Sequence, residues 1–223
     1  MTHIETKIQT DLPLKYLSQS SPNSAGKPMI IFLHGLGSDE ADLFELKNEF
    51  PQDYTFISVR APLDFFNGYQ WYQKSDMASE AIQANDVRSS TKLILEFIPA
   101  AIKKYQTDSS KVILIGFSQG GIMNYEIGLN HPEAVRGIAS LSGKILPSTK
   151  VKINVQLDLK KINIFIGHGT HDDVVPFAES VTASELLGKI STTMEFHSYD
   201  RLGHSINMTE LADLKNWVSR ILK

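Results

Sequence analysis

The fold is decided by the stretch KVILIGFSQGG, which occupies residues 111–121. Its first half is a continuous apolar run, which is typical of a strand covered on both faces of a sheet. Its second half matches the pattern G-x-S-x-G and leads directly into a helical segment at 121–129. A sharp turn from strand to helix forces its central residue into a strained backbone conformation and presents the side chain above the sheet. We therefore predict that Ser118 is a nucleophile rather than an incidental serine in a tight turn.

Strand-like and helix-like segments alternate along the rest of the chain. Apolar runs predict strands at 28–33, 54–59, 111–115, 135–141, 162–166 and 194–199. Helices are predicted at 41–50, 86–105, 121–129, 181–190 and 208–222. Pro99 is expected to kink or divide the second helix. The alternation predicts an α/β fold with a mostly parallel central sheet flanked by helices on both faces. The length fits a single domain, residues 1–223, in which residues 1–27 form an N-terminal edge strand or hairpin and a loop.

The composition excludes several classes of protein. A formal net charge of −3 gives no footprint for nucleic acid or for an anionic membrane. The absence of cysteine excludes a disulfide framework, a cysteine nucleophile, a thiolate zinc site and an iron–sulfur cluster. No apolar run is long enough to span a membrane, and the polar N-terminus lacks the apolar region of a signal peptide. We therefore expect a soluble, cytoplasmic protein that binds no nucleic acid.

His204 is the predicted general base for Ser118. A serine hydroxyl is a weak nucleophile at neutral pH and needs a histidine to accept its proton. His204 lies in the loop between the predicted strand 194–199 and the last helix, from which a histidine can reach back over the sheet. His131, at a helix end, and His197, within a strand, are better explained by capping and by packing.

A carboxylate must fix the tautomer of such a histidine, and two adjacent aspartates compete for that role. Asp172 and Asp173 both follow the predicted strand 162–166. Asp200 is a remote third option, four residues before His204. Spacing alone leaves the choice between the first two open, because it depends on the path of the loop. The aspartate that is not used is expected to be a solvated turn residue or a helix cap.

Two further histidines, His34 and His168, each precede a glycine at the carboxyl end of a predicted strand. Two metal ligands would be one interpretation, but no carboxylates stand near them in a recognisable ligand spacing. We predict instead that both side chains hydrogen-bond loop backbone around the site, and we predict no metal site.

The negative charge that develops on a substrate carbonyl needs preorganised backbone N–H donors. One donor is predicted to be the amide of Gln119, the residue after the nucleophile. The other is expected from the loop after an early strand, and HGLG at 34–37 is such a loop. Its glycines allow the backbone to turn its amides inward, so we predict Leu36 as the second donor.

Five motifs, in this order, resemble the phospholipase/carboxylesterase branch of the α/β-hydrolases, which includes the acyl-protein thioesterases. They are FLHGLG at 32–37, RAP at 60–62, GFSQGG at 116–121, HGTHDDVVP at 168–176 and GH at 203–204. The resemblance implies an α/β-hydrolase fold that hydrolyses short-chain esters, lysophospholipids or thioesters without a cofactor, and in many members a homodimer. It also assigns the catalytic aspartate to Asp172, because Asp173 occupies a position that is often proline in relatives.

The chain departs from the family in two segments that are expected to wall the acyl site. Relatives commonly have a longer stretch than the one between Pro62 and Trp71 here, and the segment 144–161 is also unusual. The first departure contains an apolar-aromatic cluster, which comprises Phe65, Phe66, Tyr69, Trp71, Tyr72 and Met77. Acyl binding and core packing explain these side chains equally well. We predict Trp71, Phe65 and Tyr69 as substrate-binding residues, with Trp71 favoured by the resemblance.

These motifs lead to one functional hypothesis and two alternatives. A serine hydrolase would cleave a small-molecule ester or thioester with an apolar acyl group through Ser118, His204 and Asp172, with an acyl-enzyme intermediate. The same residues would serve a peptidase or a C–C hydrolase, and a substrate panel separates these readings. A non-catalytic binding module on a hydrolase scaffold is the third reading. A fluorophosphonate probe tests it, because a dead scaffold should not label at Ser118.

Overall fold

The computed structural model describes residues 3–74, 77–152, 159, 162–190 and 193–223. The chain divides into two compact units, residues 1–112 and 113–223, and each is described by itself. The predicted single domain, residues 1–223, therefore stays a prediction. Much of the unusual segment 144–161 falls outside the described residues.

The first unit combines strands with one long helix. Its strands are β1 (His3–Gln9), β2 (Tyr16–Ser20), β3 (Met29–Leu33), β4 (Thr55–Val59), β5 (Leu63–Phe65) and β6 (Gly68–Gln70), and its helix is α1 (Glu80–Tyr105). In the order β1-β2-β4-β3, the pair β3–β4 is parallel and the other two pairs are antiparallel. The two short strands β5 and β6 form a separate antiparallel hairpin. A 3-10 helix at Phe44–Glu49 stands where the apolar pattern predicts a helix over 41–50.

Helix α1 differs from its prediction at both its start and its middle. It begins at Glu80 rather than near residue 86, because Ser79 caps it by accepting a hydrogen bond from the Ile82 amide at 3.4 Å. It also runs without a break through Pro99, so the division does not occur, and the kink that was the other expectation stays a prediction. Buried side chains lie on both sides of the proline, among them Phe97 and Ile98 before it. Burial of this face offsets the one backbone hydrogen bond that proline cannot make.

Within its described residues, the second unit carries four strands, each parallel to its neighbours, and four α-helices. The strands are β7 (Val112–Phe117, of which the first residue belongs to the first unit), β8 (Gly137–Leu141), β9 (Asn163–Gly169) and β10 (Thr193–Tyr199). The helices are α2 (Gln119–Asn130), α3 (Pro147–Lys152), α4 (Phe177–Lys189) and α5 (Met208–Ile221). Their alternation with the strands confirms the predicted α/β fold with a mostly parallel sheet.

Packing in the second unit leaves the ends of the strands as the place for polar chemistry. Strands β7 and β8 are buried along almost their whole length, which explains their continuous apolar sequences. Helix α2 packs on β8, α4 packs on β9 and α5 packs on β9 and β10. Ligands of open parallel sheets bind at the carboxyl ends of the strands. A functional site in this unit is therefore expected in the loops after β7, β9 and β10.

Candidate active site

Ser118 stands at the turn between β7 and α2. Its backbone has φ 53° and ψ −117°, a conformation that costs a non-glycine residue on the order of 1–3 kcal/mol and persists only where the surroundings enforce it. The Ser118 amide donates to the carbonyl of Leu141 at 2.9 Å, and the Ser118 carbonyl accepts from the Ile122 amide at 3.0 Å. These bonds anchor the strained residue to β8 on one side and to α2 on the other.

The glycines around Ser118 allow β7 and α2 to meet so closely. A Cβ atom at Gly116 would overlap the backbone of Gly120, and one at Gly121 would lie 2.8 Å from the hydroxyl of Ser140. Because the clash at residue 116 is with backbone, which cannot move aside, that position needs glycine for a steric reason, whereas at residue 121 the side chain of Ser140 would have to shift. The turn therefore has the tight strand-to-helix geometry that the sequence predicts.

His204 lies between Ser118 and Asp172. Its Nε2 is 3.0 Å from the Ser118 Oγ, and its Nδ1 is 2.7 Å from the Asp172 Oδ2. The imidazole ring also packs against Phe117, with 4.7 Å between ring centroids. The structure thus brings together the three residues that the sequence singles out as nucleophile, base and orienting carboxylate.

The loop that carries His204 is fixed to the end of β9. The His171 amide donates to the carbonyl of Leu202 at 2.9 Å. A Cβ atom at Gly169 would overlap the same Leu202 carbonyl, so this close approach of the two segments requires glycine there. The distance between His204 and the loop after β9 is consequently set by backbone contacts.

The Asp172 carboxylate is buried, and both of its oxygens accept hydrogen bonds. Its Oδ1 accepts hydrogen bonds from the amides of Val174 at 2.9 Å and Val175 at 2.8 Å, while Oδ2 faces His204. Burial alone would raise the pKa of Asp172, but the hydrogen bonds from His204 and from the two amides outweigh it, so the pKa lies below its usual range. The carboxylate is therefore ionised at neutral pH and able to stabilise a charged imidazole.

The competing carboxylates lie elsewhere. Asp173 is exposed, and Asp200 is 80% exposed beside Arg201. The structure therefore places Asp172, rather than either alternative, against the histidine. Among the residues that the structure describes, no group of three or more His, Asp and Glu side chains is arranged to hold a metal ion.

Both histidines that precede a glycine hydrogen-bond backbone, as predicted. His34 Nδ1 lies 2.7 Å from the carbonyl of Gly35, and its Nε2 accepts from the Ala61 amide at 3.0 Å. His168 Nε2 lies 2.9 Å from the carbonyl of Val175. Burial lowers the pKa of both imidazoles, so both are neutral at pH 7.

The sequence did not predict two contacts of His168. Its Nε2 lies 3.1 Å from the Asp172 Oδ2, and its Nδ1 lies 2.5 Å from the hydroxyl of Ser180. Ser180 is completely buried on α4 and belongs to none of the motifs. No signal in the sequence marks Ser180, which lies one residue before the predicted helix 181–190.

The predicted oxyanion residues occur in different units. Leu36, which is half-buried, lies in the loop 34–38 of the first unit, where the Gly37 amide donates to the carbonyl of Tyr69 at 2.8 Å. Gln119 is buried at the first position of α2 in the second unit. Backbone amides in the first turn of a helix have no carbonyl partner within the helix, and they commonly bind anions. The roles of both amides stay predictions.

The three predicted substrate-binding residues each have structural contacts in the first unit. Trp71 is completely buried, and its Nε1 donates to the carbonyl of His34 at 2.9 Å. Tyr69 accepts a hydrogen bond from Arg60 at 2.9 Å, and the guanidinium lies 4.3 Å from the centre of its ring. Phe65 is half-buried on the β5–β6 hairpin. Contact of these three side chains with a substrate stays a prediction.

The arginine of the RAP motif, Arg60, forms an ion pair that the sequence did not predict. Arg60 Nε lies 2.6 Å from Glu40 Oε2, and its Nη2 lies 2.5 Å from Glu40 Oε1. This bidentate pair is mostly buried and joins the segment after β4 to the segment after β3.

A serine at a strained strand-to-helix turn, bonded to a histidine that is bonded to a buried aspartate, is the arrangement of the α/β-hydrolases. The family model for phospholipases and carboxylesterases matches residues 15–222 of this chain. The chain therefore belongs to the phospholipase/carboxylesterase family and is an ester hydrolase by class, as its motifs predict.

Individual relatives agree with this family. Acyl-protein thioesterase 1 of Emericella nidulans is 29% identical over 219 residues, which cover 86% of this chain and 90% of the relative. A probable inactive carboxylesterase of Oryza sativa subsp. japonica is 27% identical over 207 residues, covering 86% and 84% of the two chains. The crystal structure of esterase PE8 superposes with a TM-score of 0.79 at 26% identity, covering 97% of this chain and all of that one.

Proposed function

We propose that the protein hydrolyses carboxylic esters or thioesters with Ser118 as nucleophile, His204 as general base and Asp172 as the carboxylate that orients it. The observation that supports this most strongly is the position of His204, whose two ring nitrogens lie 3.0 Å from the serine hydroxyl and 2.7 Å from the aspartate. These distances suit proton transfer from the serine and fix the tautomer that can accept the proton.

The proposed reaction has two halves. Ser118 Oγ attacks the carbonyl carbon while His204 Nε2 takes the hydroxyl proton, and the tetrahedral intermediate then expels an alcohol or thiol that receives this proton. The acyl group remains on the serine as an ester. Water, activated by His204, attacks this acyl-enzyme, and the carboxylic acid and free serine are released.

Charge is managed by Asp172 and by backbone amides. Because the pKa of Asp172 is lowered, the carboxylate is negative when the imidazole of His204 becomes positive, and the two charges stabilise each other. We propose the amides of Gln119 and Leu36 as the donors that stabilise the negative oxygen of the tetrahedral intermediate. Removing one such donor typically costs about 10²–10³ in kcat.

We propose a small-molecule substrate with an apolar acyl group. Support comes from the aromatic character of the predicted binding residues Trp71, Phe65 and Tyr69. Aromatic side chains suit an apolar acyl group better than a charged acyl group. The family contains proteins named for esters and for thioesters, so both types of leaving group belong in the test.

The test is hydrolysis of p-nitrophenyl esters from acetate to palmitate, with matched acyl thioesters, by wild type and Ser118→Ala. We expect turnover and fluorophosphonate labelling to vanish in Ser118→Ala and to persist in the control Ser184→Ala, whose hydroxyl donates to the Val181 carbonyl of its own helix. Activity unchanged in Ser118→Ala would overturn the serine mechanism. A folded wild type that cleaves peptides but no ester would favour a peptidase, and one that does not label would favour a binding module.

We also propose that the protein works in the cytoplasm as a homodimer, on the strength of the family resemblance. None of the helices among the residues that the structure describes combines the length and apolar character needed to cross a membrane. Light scattering after size exclusion tests the dimer, because the expected mass is twice the 24.9 kDa of one chain. A mass of one chain at micromolar concentration would contradict it.

A further inference from the structure

Asp172 faces two histidines. His204 Nδ1 lies 2.7 Å and His168 Nε2 lies 3.1 Å from the same oxygen, Oδ2. His168 comes from the end of β9 and is completely buried, whereas His204 is partly open to solvent. The proposed mechanism uses only one of these two contacts, so the buried histidine is unexplained by it.

The surroundings of His168 define its tautomer. Nε2 faces two acceptors, the Val175 carbonyl at 2.9 Å and the Asp172 carboxylate, so this nitrogen must carry the proton and donate. Nδ1 faces the Ser180 hydroxyl at 2.5 Å. Because burial lowers the pKa of His168 and keeps the ring neutral, Nδ1 is the acceptor. The Ser180 hydroxyl is the donor, since the Gly143 carbonyl, its other neighbour, lies farther away at 3.3 Å.

With His168 beside it, the Asp172 carboxylate is contacted from every side. Oδ1 accepts from the amides of Val174 and Val175, and Oδ2 accepts from His204 Nδ1. The His168 Nε2–H donates to the Val175 carbonyl at 2.9 Å, and its nitrogen lies 3.1 Å from Oδ2 as a second, electrostatic contact. The group is therefore fixed in both position and orientation by neutral donors, with no cation needed to hold it in place.

We propose that His168 is a positioning residue of this hydrolase, which acts through Asp172, and that Ser180 orients His168. The proposal rests on the function proposed above. It adds two buried side chains, His168 and Ser180, to the three residues of the proposed mechanism.

The proposal has a consequence for the hydrogen bond between Asp172 and His204. The His168 N–H near Asp172 Oδ2 offsets part of the negative charge that would otherwise act on His204. Without it, the Asp172–His204 hydrogen bond should strengthen. The ionisable groups that face His168 are Asp172 and His204, and the rings beside these residues, Phe177 and Phe117, are uncharged.

The test compares His168→Phe, which keeps a ring but removes both polar contacts, with His168→Gln, which keeps an N–H donor. The matched control is His197→Phe, because His197 is a half-buried histidine of β10 that stacks on Phe165. For His168→Phe we expect kcat to fall about 10- to 100-fold with KM little changed, as for other residues that orient a reacting group. We expect the acidic limb of the kcat/KM profile to move to higher pH, because more of the Asp172 charge then acts on its partner.

His168→Gln should recover a large part of both effects, and His197→Phe should show neither. A lower melting temperature in His168→Phe with an unmoved acidic limb and unchanged kcat would mean that His168 is only structural, and would overturn the proposal. If folded wild type hydrolysed no ester or thioester, so that it could not be told from Ser118→Ala, the proposed function itself would be refuted. The failure of the proposal and the failure of the proposed function are therefore distinguishable.

Ser180→Ala keeps the proposal testable if His168→Phe does not fold. It deletes one buried hydroxyl and leaves both histidines in place. We expect the Nδ1 proton of His204, followed by proton NMR at low pH, to move downfield in this variant as its bond to Asp172 strengthens. An unmoved resonance in folded Ser180→Ala would overturn the role of Ser180 as the orienting residue.

Discussion

The carboxyl ends of β3 and β9 look alike in sequence and differ in chemistry. A buried histidine followed by glycine lies at each end, His34 directly after β3 and His168 as the last residue but one of β9. The ring nitrogens of His34 bond to main-chain groups, of Gly35 and Ala61. Those of His168 bond to the Val175 carbonyl and also reach two side chains, of Ser180 and Asp172.

The difference shows that one residue type in one local motif serves two purposes. After β3, the imidazole replaces a missing backbone partner and holds a loop together, which is a contribution to stability. After β9, the same ring is a link in a side-chain network, where its removal also changes the charge felt by its neighbours. Mutations at the two ends should therefore be read out by different measurements.

The largest expected effect separates the two adjacent aspartates after β9. Asp172→Asn should lower kcat by about 10⁴, because an amide stabilises neither the right tautomer nor the charge of the histidine. Asp173→Asn is the matched control and should stay near wild type, because its side chain is exposed. Steady-state ester hydrolysis measures both. Equal losses of kcat in the two variants would contradict the choice of Asp172 over Asp173 as the orienting carboxylate.

The next effect concerns the other end of the comparison. His34→Phe should lower the free energy of unfolding by about 2–4 kcal/mol, since a buried amide and a buried carbonyl both lose their partner. Urea denaturation measures this loss. The acidic limb of the kcat/KM profile of His34→Phe should coincide with that of wild type, in contrast to the profile of His168→Phe. If His34→Phe moved that limb as far, the distinction between the two histidines would fail.

A third effect tests the other buried ionisable group near the end of β9. Glu210 on α5 lies against Gly167, and burial raises the pKa of its carboxyl to about 8, with Asp213 adding to the effect. The raised pKa means that its contribution to stability is complete below the unfolded value of 4.5 and is lost as pH rises through about 8.

Glu210→Gln should therefore gain stability relative to wild type as the pH rises from 5 to 9, with a melting temperature several degrees higher at pH 9. Thermal melts across this range measure the difference. Glu185→Gln, at an exposed position of α4, is the control and should run parallel to wild type. A constant offset between Glu210→Gln and wild type at every pH would contradict the assignment.

The smallest effect lies in the loops after β3 and β4. Arg60→Lys keeps the charge beside Glu40 but loses the bidentate geometry, so we expect about 1 kcal/mol of destabilisation and a melting temperature lower by about 2–4 °C. Arg220→Lys is the control, because Arg220 pairs with Glu195 at an exposed surface and should cost less than about 0.5 kcal/mol. Equal shifts would mean that the Arg60 pair adds nothing by being buried.

Much of the fold follows from the sequence because buried strands are continuous apolar runs. The predicted runs at 28–33 and 111–115 correspond to β3 and β7 within two residues. The start of α1 escapes this logic, since Ser79 acts through one hydrogen bond and lies outside the apolar periodicity. The hairpin of β5 and β6 escapes it too, because its strands have three residues each and its turn places Phe66 at φ 48°, which no sequence rule favours for phenylalanine.

The site divides in the same way. Ser118 and His204 are predictable because each occupies a defined position next to a strand end. Asp172 and Asp173 are adjacent in sequence, so only the path of the loop, or the family pattern, separates them. Ser180 lies outside every motif, because its role depends on where α4 packs rather than on its neighbours in the chain.

The strained backbone of Ser118 has a consequence for how this fold ages in evolution. Glycine adopts a positive φ without penalty, so a change from serine to glycine at this turn should make the protein more stable while removing the proposed nucleophile. Selection for stability and selection for catalysis therefore act in opposite directions at this one position. When catalysis is no longer selected, the scaffold can persist without its chemistry.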